Sequence, residues 1–598
     1  MTTASPPESG PGAPPVTART GPDAGWWLGA SAVLLVLGAV VPLAIAWRSG
    51  ALSIPRSDDW SYLTTLFRWT EGGGLDFNRW VSMTLVGQLL LAAPVALAAP
   101  GSIAAVRIEV ALLGVGGLLA TGWLGLQVLG RRGPALLIAV TIALGPLWGP
   151  LAATYMTDVP TFAVQTLAAA IAVVGLRRPE RRTVALLAAV AVGFVGISIR
   201  QYAIVPVGAT LLAYALVARR DRDRRLLRTV VLTGATVVVA TVTLLLWWRG
   251  IPNPLANAPI RPSSGSAREA LARGIGYVRL AGLLLLPVIV WAGPVRIARR
   301  AWTTSRRTAV ALTGIAVAGL AFGYGALRED AFVGNYVHPR GVLGDDVIAG
   351  FRPEIMPGPL WALVVLTGSL GALVLMLAAV PWLATVPGRV RSRDLGSIDP
   401  IALTFGLTLG GLWCAYLLTD TLQINRFPIF DRYALGGLPL IAVLLLRAAE
   451  TPPPGRAGPH VTARVGARRV TTAGALVLLA LLGLTFTIDS ARYDATRWRV
   501  GEDTVAAGYP LRDIDGGFEW VNWHNGFSPP IRDTVAERQR DRRRLLAGRC
   551  VTIVVDPPRL PPTDRLVAAR RYTSPLRPPV WIVALRNDRT CAVPPTAP

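Results

Sequence analysis

Two adjacent carboxylates, Asp58 and Asp59, occur in the stretch RSDDWSY at 56–62, shortly after the first long apolar run of the chain. Charged groups beside a bilayer are costly unless they are solvated, paired or used. A carboxylate at this position could accept a proton during a reaction, as a general base does. The pair could equally be solvated loop charge or a cap for a helix at the membrane surface. The rest of the chain must separate these interpretations.

Six further polar residues lie at the ends of apolar runs, where their side chains could act together. They occur in YMTDVP at 155–160, SIRQY at 198–202, NRFPIFDRY at 425–433 and the loop at 328–341. Ionisable groups in or beside a membrane are candidates for function by default. The set consists of Asp158, Arg200, Arg426, Arg432, Tyr433 and His338.

Several of these residues also have a plainer interpretation. Asp158 could cap a helix N-terminus, where an acid stabilises by about 1 kcal/mol. Arg200 could extend its guanidinium to lipid headgroups. The arginines of 425–433 could pair with Asp420 and Asp431 and hold their loop. No single residue decides the question, whereas the collection of all of them on one face of the membrane indicates a site.

The composition indicates a protein that crosses a membrane many times. Apolar residues make up 52% of the 598 residues and charged residues only 16%, whereas a soluble domain carries about a quarter charged residues. Apolar runs of about 20 residues recur, which is the length that spans a bilayer. The net charge of +25 includes no lysine, and the arginines cluster between the apolar runs. This placement follows the positive-inside rule, so the predicted partner is the lipid bilayer and not a nucleic acid.

Thirteen membrane spans are predicted from these runs. With the N-terminus in the cytoplasm, the arginine clusters fall on the cytoplasmic side, so we predict a multi-pass protein of the cell membrane with an extracytoplasmic C-terminus. The apolar segment 80–99 is predicted to lie in the interface, because counting it would reverse all later loops; an ordinary span there, with another missed elsewhere, is the alternative. The predicted spans are about 26–47, 103–129, 134–153, 159–176, 183–199, 202–218, 229–248, 276–295, 308–327, 359–385, 400–420, 432–449 and 470–488.

Three regions are predicted along the chain. Residues 1–24 are rich in Pro, Ser and Gly and form a disordered cytoplasmic tail. Residues 25–488 form an all-α transmembrane domain with a first outer loop at 48–102. Residues 489–598 form a small extracytoplasmic α/β domain, because they contain two strand-like runs, CVTIVVD and VWIVAL. Cys550 and Cys591 flank these runs on the oxidising side and could form a disulfide.

The residue types exclude several kinds of chemistry. Without lysine, the chain has neither a P-loop lysine nor a Schiff-base lysine. Three His and three Cys occur without the CxxC or HExxH spacing. This pattern argues against a conventional zinc site.

Several motifs together resemble the GT-C superfamily of integral membrane glycosyltransferases. They are a retained first helix, an acidic pair directly after it, MTDVP opening a later helix, DRYALGGLPL opening a late one, and an extracytoplasmic C-terminal domain. Within the superfamily, the chain resembles the branch of protein mannosyltransferases and bacterial aminoarabinose transferases. DIDGGFEWVNWH at 513–524 also resembles a Gly-Phe-Glu-Trp element of bacterial members. The resemblance covers most of the chain as topology, and the middle third, roughly 229–400, contributes no motif.

The resemblance implies an enzyme, an inverting hexosyl- or pentosyltransferase. It would move a sugar from a polyprenyl-phosphate donor to a hydroxyl of a glycan, lipid or protein acceptor at the outer membrane face. Asp58 or Asp59 would act as general base. Arg200, Arg426 and Arg432 would bind the donor phosphate, because guanidinium groups bind phosphate in a bidentate manner. Further candidates for contact with substrate or metal are Asp158, His338 and Tyr433.

No cofactor is demanded by the sequence, although Asp58, Asp59 and Asp158, with His338, could hold a divalent cation near the phosphate.

The alternative function is a flippase or transporter of lipid-linked sugars. Such proteins show internal repeats and charge at the membrane midplane, and neither is evident here. A ligase or polymerase of lipid-linked glycans would depend on a large outer loop between spans, and a non-catalytic scaffold would leave the polar face without a purpose.

Overall fold

The structure is a computed structural model that describes residues 24–78, 80–251, 264–327, 331–344, 347–350, 352–391, 398–422, 430–450, 462–525, 549–555, 564–587 and 591. The predicted disordered tail therefore lies almost entirely outside the described residues.

Most of the described chain is helical, because backbone polar groups in a membrane interior must be hydrogen bonded within their own segment. In chain order the helices are α1 (Ala24–Leu35), α2 (Val41–Ser49), α3 (Asp59–Thr70), α4 (Val86–Ala98), α5 (Ile103–Leu129), α6 (Arg132–Leu144), α7 (Trp148–Ala152), α8 (Asp158–Arg177), α9 (Arg182–Ile199), α10 (Ile204–Arg220), α11 (Arg224–Gly250), α12 (Ser264–Leu284), α13 (Leu286–Ala292), α14 (Pro294–Thr304), α15 (Arg306–Leu327), α16 (Gly358–Arg391), α17 (Pro400–Leu422), α18 (Leu438–Glu450), α19 (Thr462–Ala506) and α20 (Phe518–Asn525). Local signals set their ends: the Ser102 side chain accepts a hydrogen bond from Ala105 N at the start of α5, and Gly130, with φ of +67°, ends that helix.

Eleven helices within the described ranges are long and apolar enough to cross a membrane, and up to twelve spans result if the bent pair α12–α13 counts as one. The two parts of this pair meet at 69°. The predicted span 134–153 is not continuous, because α6 ends before an extended Gly145 that precedes a proline, and the chain resumes as the short helix α7. The predicted class, an all-α polytopic membrane protein with a small C-terminal sheet region, is confirmed.

The segment predicted to lie in the interface, 80–99, contains only α4. A helix of 13 residues is about 20 Å long and cannot cross a hydrocarbon core of about 30 Å. Its start is attached to the end of α9, because Leu85 N donates to Ile199 O at 3.1 Å and Thr84 Oγ1 donates to Ile197 O at 2.8 Å. These contacts fix the first loop against the helix bundle.

The strands form one mixed sheet with the order β1–β3–β5–β4, in which β2 also pairs with β3. The strands are β1 (Ala349–Gly350), β2 (Ile514–Asp515), β3 (Val551–Val555), β4 (Asp564–Tyr572) and β5 (Val580–Asn587). The short strands β1 and β2 run parallel to β3, whereas β3–β5 and β5–β4 are antiparallel. Cys550 and Cys591 form a disulfide. The sheet thus recruits β1 from a loop far upstream of the predicted domain.

Helix α19 joins the bundle to the sheet. Its 45 residues correspond to about 68 Å. Because the helix ends only at Ala506, it continues well past the predicted domain boundary at 488/489. Near that boundary, buried Asp489 lies 2.7 Å from Arg352 Nη2 and accepts a hydrogen bond from the Tyr572 hydroxyl. Burial opposes the charge on Arg352, but the Asp489 carboxylate raises its pKa above the ordinary value. These contacts fix the sheet to one end of the bundle, called here the sheet side.

Candidate active site

The two adjacent carboxylates of the first loop have different surroundings. Asp58 directly precedes α3, and its side chain is 27% exposed. Its Oδ1 accepts a hydrogen bond from Trp80 Nε1 at 3.0 Å, and its Oδ2 lies 3.1 Å from Arg432 Nη2. Asp58 therefore faces a partly open space that it shares with other polar groups.

Asp59 begins α3 and is fully buried. Its Oδ2 lies 2.5 Å from Nη2 of Arg107, whose side chain is also fully buried, and accepts a hydrogen bond from Tyr155 N at 3.2 Å. Its Oδ1 accepts a hydrogen bond from Arg56 N at 2.6 Å. Because successive residues at a helix start point about 100° apart, one carboxylate faces the open space while its neighbour serves a structural ion pair.

Three distant segments meet Asp58 at the sheet side. Asp158 is the first residue of α8, Arg200 follows α9, and Arg432 lies in the 3-10 helix Asp431–Gly437. Asp158 Oδ1 is 2.6 Å from Arg200 Nη1, and Asp158 Oδ2 is 3.7 Å from Arg432 Nε. Arg432 therefore bridges two carboxylates, and Asp158 is engaged by arginines without capping its helix.

Two buried guanidinium groups at this site carry N–H donors that have no hydrogen-bond partner among the described residues. The donor atoms are Arg200 Nη2 and Arg432 Nη1, on side chains only 8% and 3% exposed. A buried donor without a partner costs about 1–3 kcal/mol, and more when it is charged. Although burial alone would lower the pKa of Arg200, Asp158 raises this pKa above the ordinary value. Both donors are suited to an anion that enters the site.

Tyr433 orients one of these arginines. The Arg200 guanidinium lies 4.1 Å from the centroid of the Tyr433 ring, a cation–π distance. The ring also packs against Tyr416 and Phe430, at centroid distances of 5.8 and 5.9 Å. The structure thus places Tyr433 in the site as a support for Arg200.

The other predicted residues near α17 and α18 have mainly structural contacts. Asp431 accepts three hydrogen bonds, at 3.3, 2.7 and 2.6 Å, from the backbone N–H groups of residues 335–337. Asp420 is held by Arg273 at 2.9 Å. Arg426, predicted to bind phosphate, lies outside the described residues.

His338 lies in the loop held by Asp431, where its Nδ1 accepts a hydrogen bond from a backbone N–H two residues later. Within the described part of the chain, no three His, Cys, Asp or Glu side chains lie close enough to hold a metal ion. The described structure does not bring Asp58, Asp59, Asp158 and His338 together as such a group, and a divalent cation near the phosphate stays a prediction. The physical reason is that Asp59 and Asp158 are each engaged by an arginine.

The Gly-Phe-Glu-Trp stretch lies directly beside Asp58. The Phe518 ring packs at a centroid distance of 4.5 Å from Trp80, which is the residue that donates to Asp58. Glu519 is buried, accepts a hydrogen bond from Ser57 N at 3.2 Å and lies 3.2 Å from Arg497 Nη2. The sequence indicated this stretch but not its contact with the first loop.

The two glycines of the stretch lie close to bulky side chains. Gly517 has φ of +97°, and a Cβ there would lie 2.8 Å from Arg497 Nη1. A Cβ at Gly516 would lie 2.6 Å from Cγ of Trp520, which packs against Trp498 in the core beneath the sheet. Glycine is needed at 517 for its backbone conformation and at both positions for space.

Arg107 is an important residue that the sequence analysis missed. It lies in the second turn of α5, a predicted span, where an arginine is costly unless it is paired. That position was a usable signal, because it implied a buried acidic partner. The partner could not be identified from the sequence, since Asp59 lies 48 residues earlier in the chain.

The fold and the site define a polytopic helical membrane protein with a small sheet and a cluster of arginines and carboxylates where the two meet. No protein-family model matches the chain, and no curated protein matches it. The chain is similar to the solved structure of ArnT from Cupriavidus metallidurans bound to undecaprenyl phosphate, with 15% identity over 94% of this chain and 98% of that one and a TM-score of 0.38. It is similar to the same protein in the apo state, with 15% identity, coverages of 95% and 99% and a TM-score of 0.39.

A third similar structure is the archaeal oligosaccharyltransferase AglB from Archaeoglobus fulgidus, in complex with an inhibitory peptide and a dolichol-phosphate. This similarity has 14% identity and a TM-score of 0.37, and it covers 85% of this chain and 61% of AglB. Because all three identities and TM-scores are low, the function of the site must be argued from its own residues.

Proposed function

We propose that this protein is an integral membrane glycosyltransferase that moves a sugar from a polyprenyl-phosphate donor to an acceptor hydroxyl, with inversion at the anomeric carbon. The observation that carries the proposal is the partly exposed carboxylate of Asp58 beside Arg432, which is connected through Asp158 to Arg200. Both buried guanidinium groups have N–H donors without a hydrogen-bond partner among the described residues. A base and an anion site are the two parts that this reaction requires.

Asp58 is the proposed general base. The acceptor oxygen attacks the anomeric carbon, and its proton passes to the Asp58 carboxylate. The bond between the anomeric carbon and the phosphate oxygen breaks, and its electron pair leaves with the polyprenyl phosphate. Asp58 suits this role because it is the exposed member of the acidic pair, whereas Asp59 is closed off by its buried contacts.

Arg200 and Arg432 are the proposed phosphate ligands. Negative charge grows on the leaving phosphate, and prearranged guanidinium donors stabilise it without reorganisation. The charges of the two arginines and the two aspartates at the site cancel. A bound phosphodiester therefore brings one negative charge to a site that has no net charge of its own. We propose that these arginines, and not a divalent cation, supply the positive charge, because Asp158 is already bound to Arg200.

The proposed location of the site is the outer face of the cell membrane. The arginine clusters between the spans support a cytoplasmic N-terminus and with it an extracytoplasmic sheet side, where the disulfide of Cys550 and Cys591 would be stable. A lipid donor suits this place, because its chain stays in the bilayer while its head reaches the site. The acceptor is a glycan, a lipid or a protein.

Sugar transfer in vesicles tests the proposal. Purified wild type, Asp58→Asn and a control, Asp76→Asn, are supplied with a panel of radiolabelled polyprenyl-phosphate sugars and membrane-extract acceptors. Asp76 is a suitable control because it belongs to the same loop and is 67% exposed in a surface ion pair. We expect transfer by wild type and Asp76→Asn, and a loss of about 10²–10⁴ in Asp58→Asn, the usual contribution of a general base.

Two results would contradict the proposal. Transfer that survives Asp58→Asn would remove the catalytic role of this residue. Passage of labelled lipid across the vesicle membrane, without transfer from any donor, would identify a flippase.

A further inference from the structure

Two neighbours of the candidate base, Trp80 and Ser57, are contacted by a segment that belongs to the other end of the chain. Residues 514–525, which we call the GFEW segment, include β2, the two glycines and α20. Phe518 of this segment packs on Trp80, and Trp80 donates to Asp58 Oδ1. The neighbouring residue Glu519 accepts a hydrogen bond from Ser57 N. The GFEW segment is thus connected to Asp58 in two ways, through Trp80 to the Asp58 side chain and through Ser57 to the backbone before Asp58.

Ser57 has an unusual backbone conformation. Its φ of +54° lies in the left-handed region, which is unfavourable for a residue other than glycine and persists only where surrounding contacts impose it. Glu519 provides such a contact, and it is itself held by Arg497, which also donates to Gly516 O at 2.6 Å. This chain of contacts holds the backbone directly before Asp58, the residue that precedes α3.

The two oxygens of Asp58 have separate donors. Trp80 occupies Oδ1, at 3.0 Å, and Arg432 occupies Oδ2, at 3.1 Å. When the phosphate draws on Arg432, Trp80 remains as the donor that fixes the orientation of the carboxylate.

We infer that the GFEW segment positions the base: Trp80 orients the Asp58 carboxylate, Phe518 orients the Trp80 indole, and Glu519 holds Ser57. This inference rests on the proposed function, because it presupposes that Asp58 is the base. It differs from a plain packing role, which belongs to Trp520, a fully buried residue that packs against Trp498 and His524. Trp80 and Phe518 are positioning residues and do not themselves take part in the proton transfer.

Kinetics of Trp80→Phe test the inference, because this change keeps an aromatic ring against Phe518 and removes the N–H donor. We expect kcat to fall about tenfold, the rate equivalent of one hydrogen bond to a charged group, with the donor KM unchanged within about twofold. Trp69→Phe is the matched control and should behave as wild type. Trp69 lies near the end of α3, whereas Asp58 directly precedes the start of this helix.

A second variant guards against misfolding. Phe518→Leu leaves Trp80 intact but removes its aromatic support, and it should lower kcat with the same unchanged donor KM. Melting temperatures of all variants are measured in the same detergent, so that a loss of folded protein is separated from a loss of turnover.

The outcomes separate this inference from the proposed function. If Asp58→Asn abolishes transfer while Trp80→Phe and Phe518→Leu keep the wild-type kcat, the positioning role is wrong and the base assignment stands. If Asp58→Asn retains transfer, or if wild type transfers from no donor, both are wrong.

Discussion

The exchange of Asp59 for asparagine should damage the stability of the protein, not its chemistry. Asp59 accepts hydrogen bonds from three donors, Arg107 Nη2, Tyr155 N and Arg56 N. An asparagine has one acceptor oxygen and one NH2 group, so at least one of these donors would face another donor. Arg107 would keep its charge in a fully buried position without a carboxylate. Removing one partner of a buried pair costs about 3–5 kcal/mol, which is the expected loss.

The loss is measured as thermal inactivation in detergent. Wild type, Asp58→Asn and Asp59→Asn are heated, and the fraction that stays monodisperse is followed by size-exclusion chromatography. We expect Asp59→Asn to inactivate at a clearly lower temperature, and Asp58→Asn to remain close to wild type because its side chain is partly solvated. Asp59→Asn protein that is still folded at low temperature should transfer sugar measurably.

A double variant isolates the pair. Asp59→Leu with Arg107→Met replaces both charges by apolar groups, and such replacements are often neutral or stabilising. It should therefore be more stable than Asp59→Asn alone. The reasoning would be refuted if folded Asp59→Asn, with wild-type stability, lost transfer while Asp58→Asn kept it, since the two aspartates would then have exchanged roles.

Three further outcomes are expected. Arg432→Lys should raise the donor KM about tenfold or more, because an ammonium cannot reproduce the guanidinium fork that bridges two carboxylates and a phosphate; an unchanged KM would remove Arg432 from the anion site. The rate of transfer in EDTA should stay within about twofold of the rate without EDTA, because Asp59 and Asp158 are bound to arginines and are not available to a metal ion. A loss of transfer that Mg²⁺ or Mn²⁺ restores would contradict this expectation. Gly517→Ala should destabilise more than Gly508→Ala, because both have positive φ but only Gly517 has close neighbours; equal stabilities would contradict the steric argument.

The membrane class and the position of the site could be predicted from the sequence for simple physical reasons. Apolar runs of bilayer length predict spans regardless of the detailed packing. An aspartate pair next to a span is a local signal, as is an arginine in a two-residue turn between spans, and Asp58 and Arg200 were identified in this way. The break after α6 could be suspected from Gly145 and the following proline, but the hydropathy of 134–153 outweighed this local signal.

The pairing of charges could not be predicted, because it depends on contacts between distant segments. Nothing local separates Asp58 from Asp59, and their different roles follow from Arg107 approaching one of them across 48 positions. The role of Glu519 likewise depends on Ser57, which lies 462 positions away. The strand β1 was missed for a similar reason, since two residues form a strand only when β3 lies beside them.

The contact between Ser57 and Glu519 also has a consequence for the order in which the protein is made. At about 5–20 residues per second, the 462 positions between these residues take roughly 25–90 s to translate. During that time the first loop has already been made, but Ser57, in its left-handed conformation, lacks the acceptor that holds it. Under the proposed function, the protein would therefore become active only at the end of biogenesis, and chains that stop before α20 would insert into the membrane as inactive proteins.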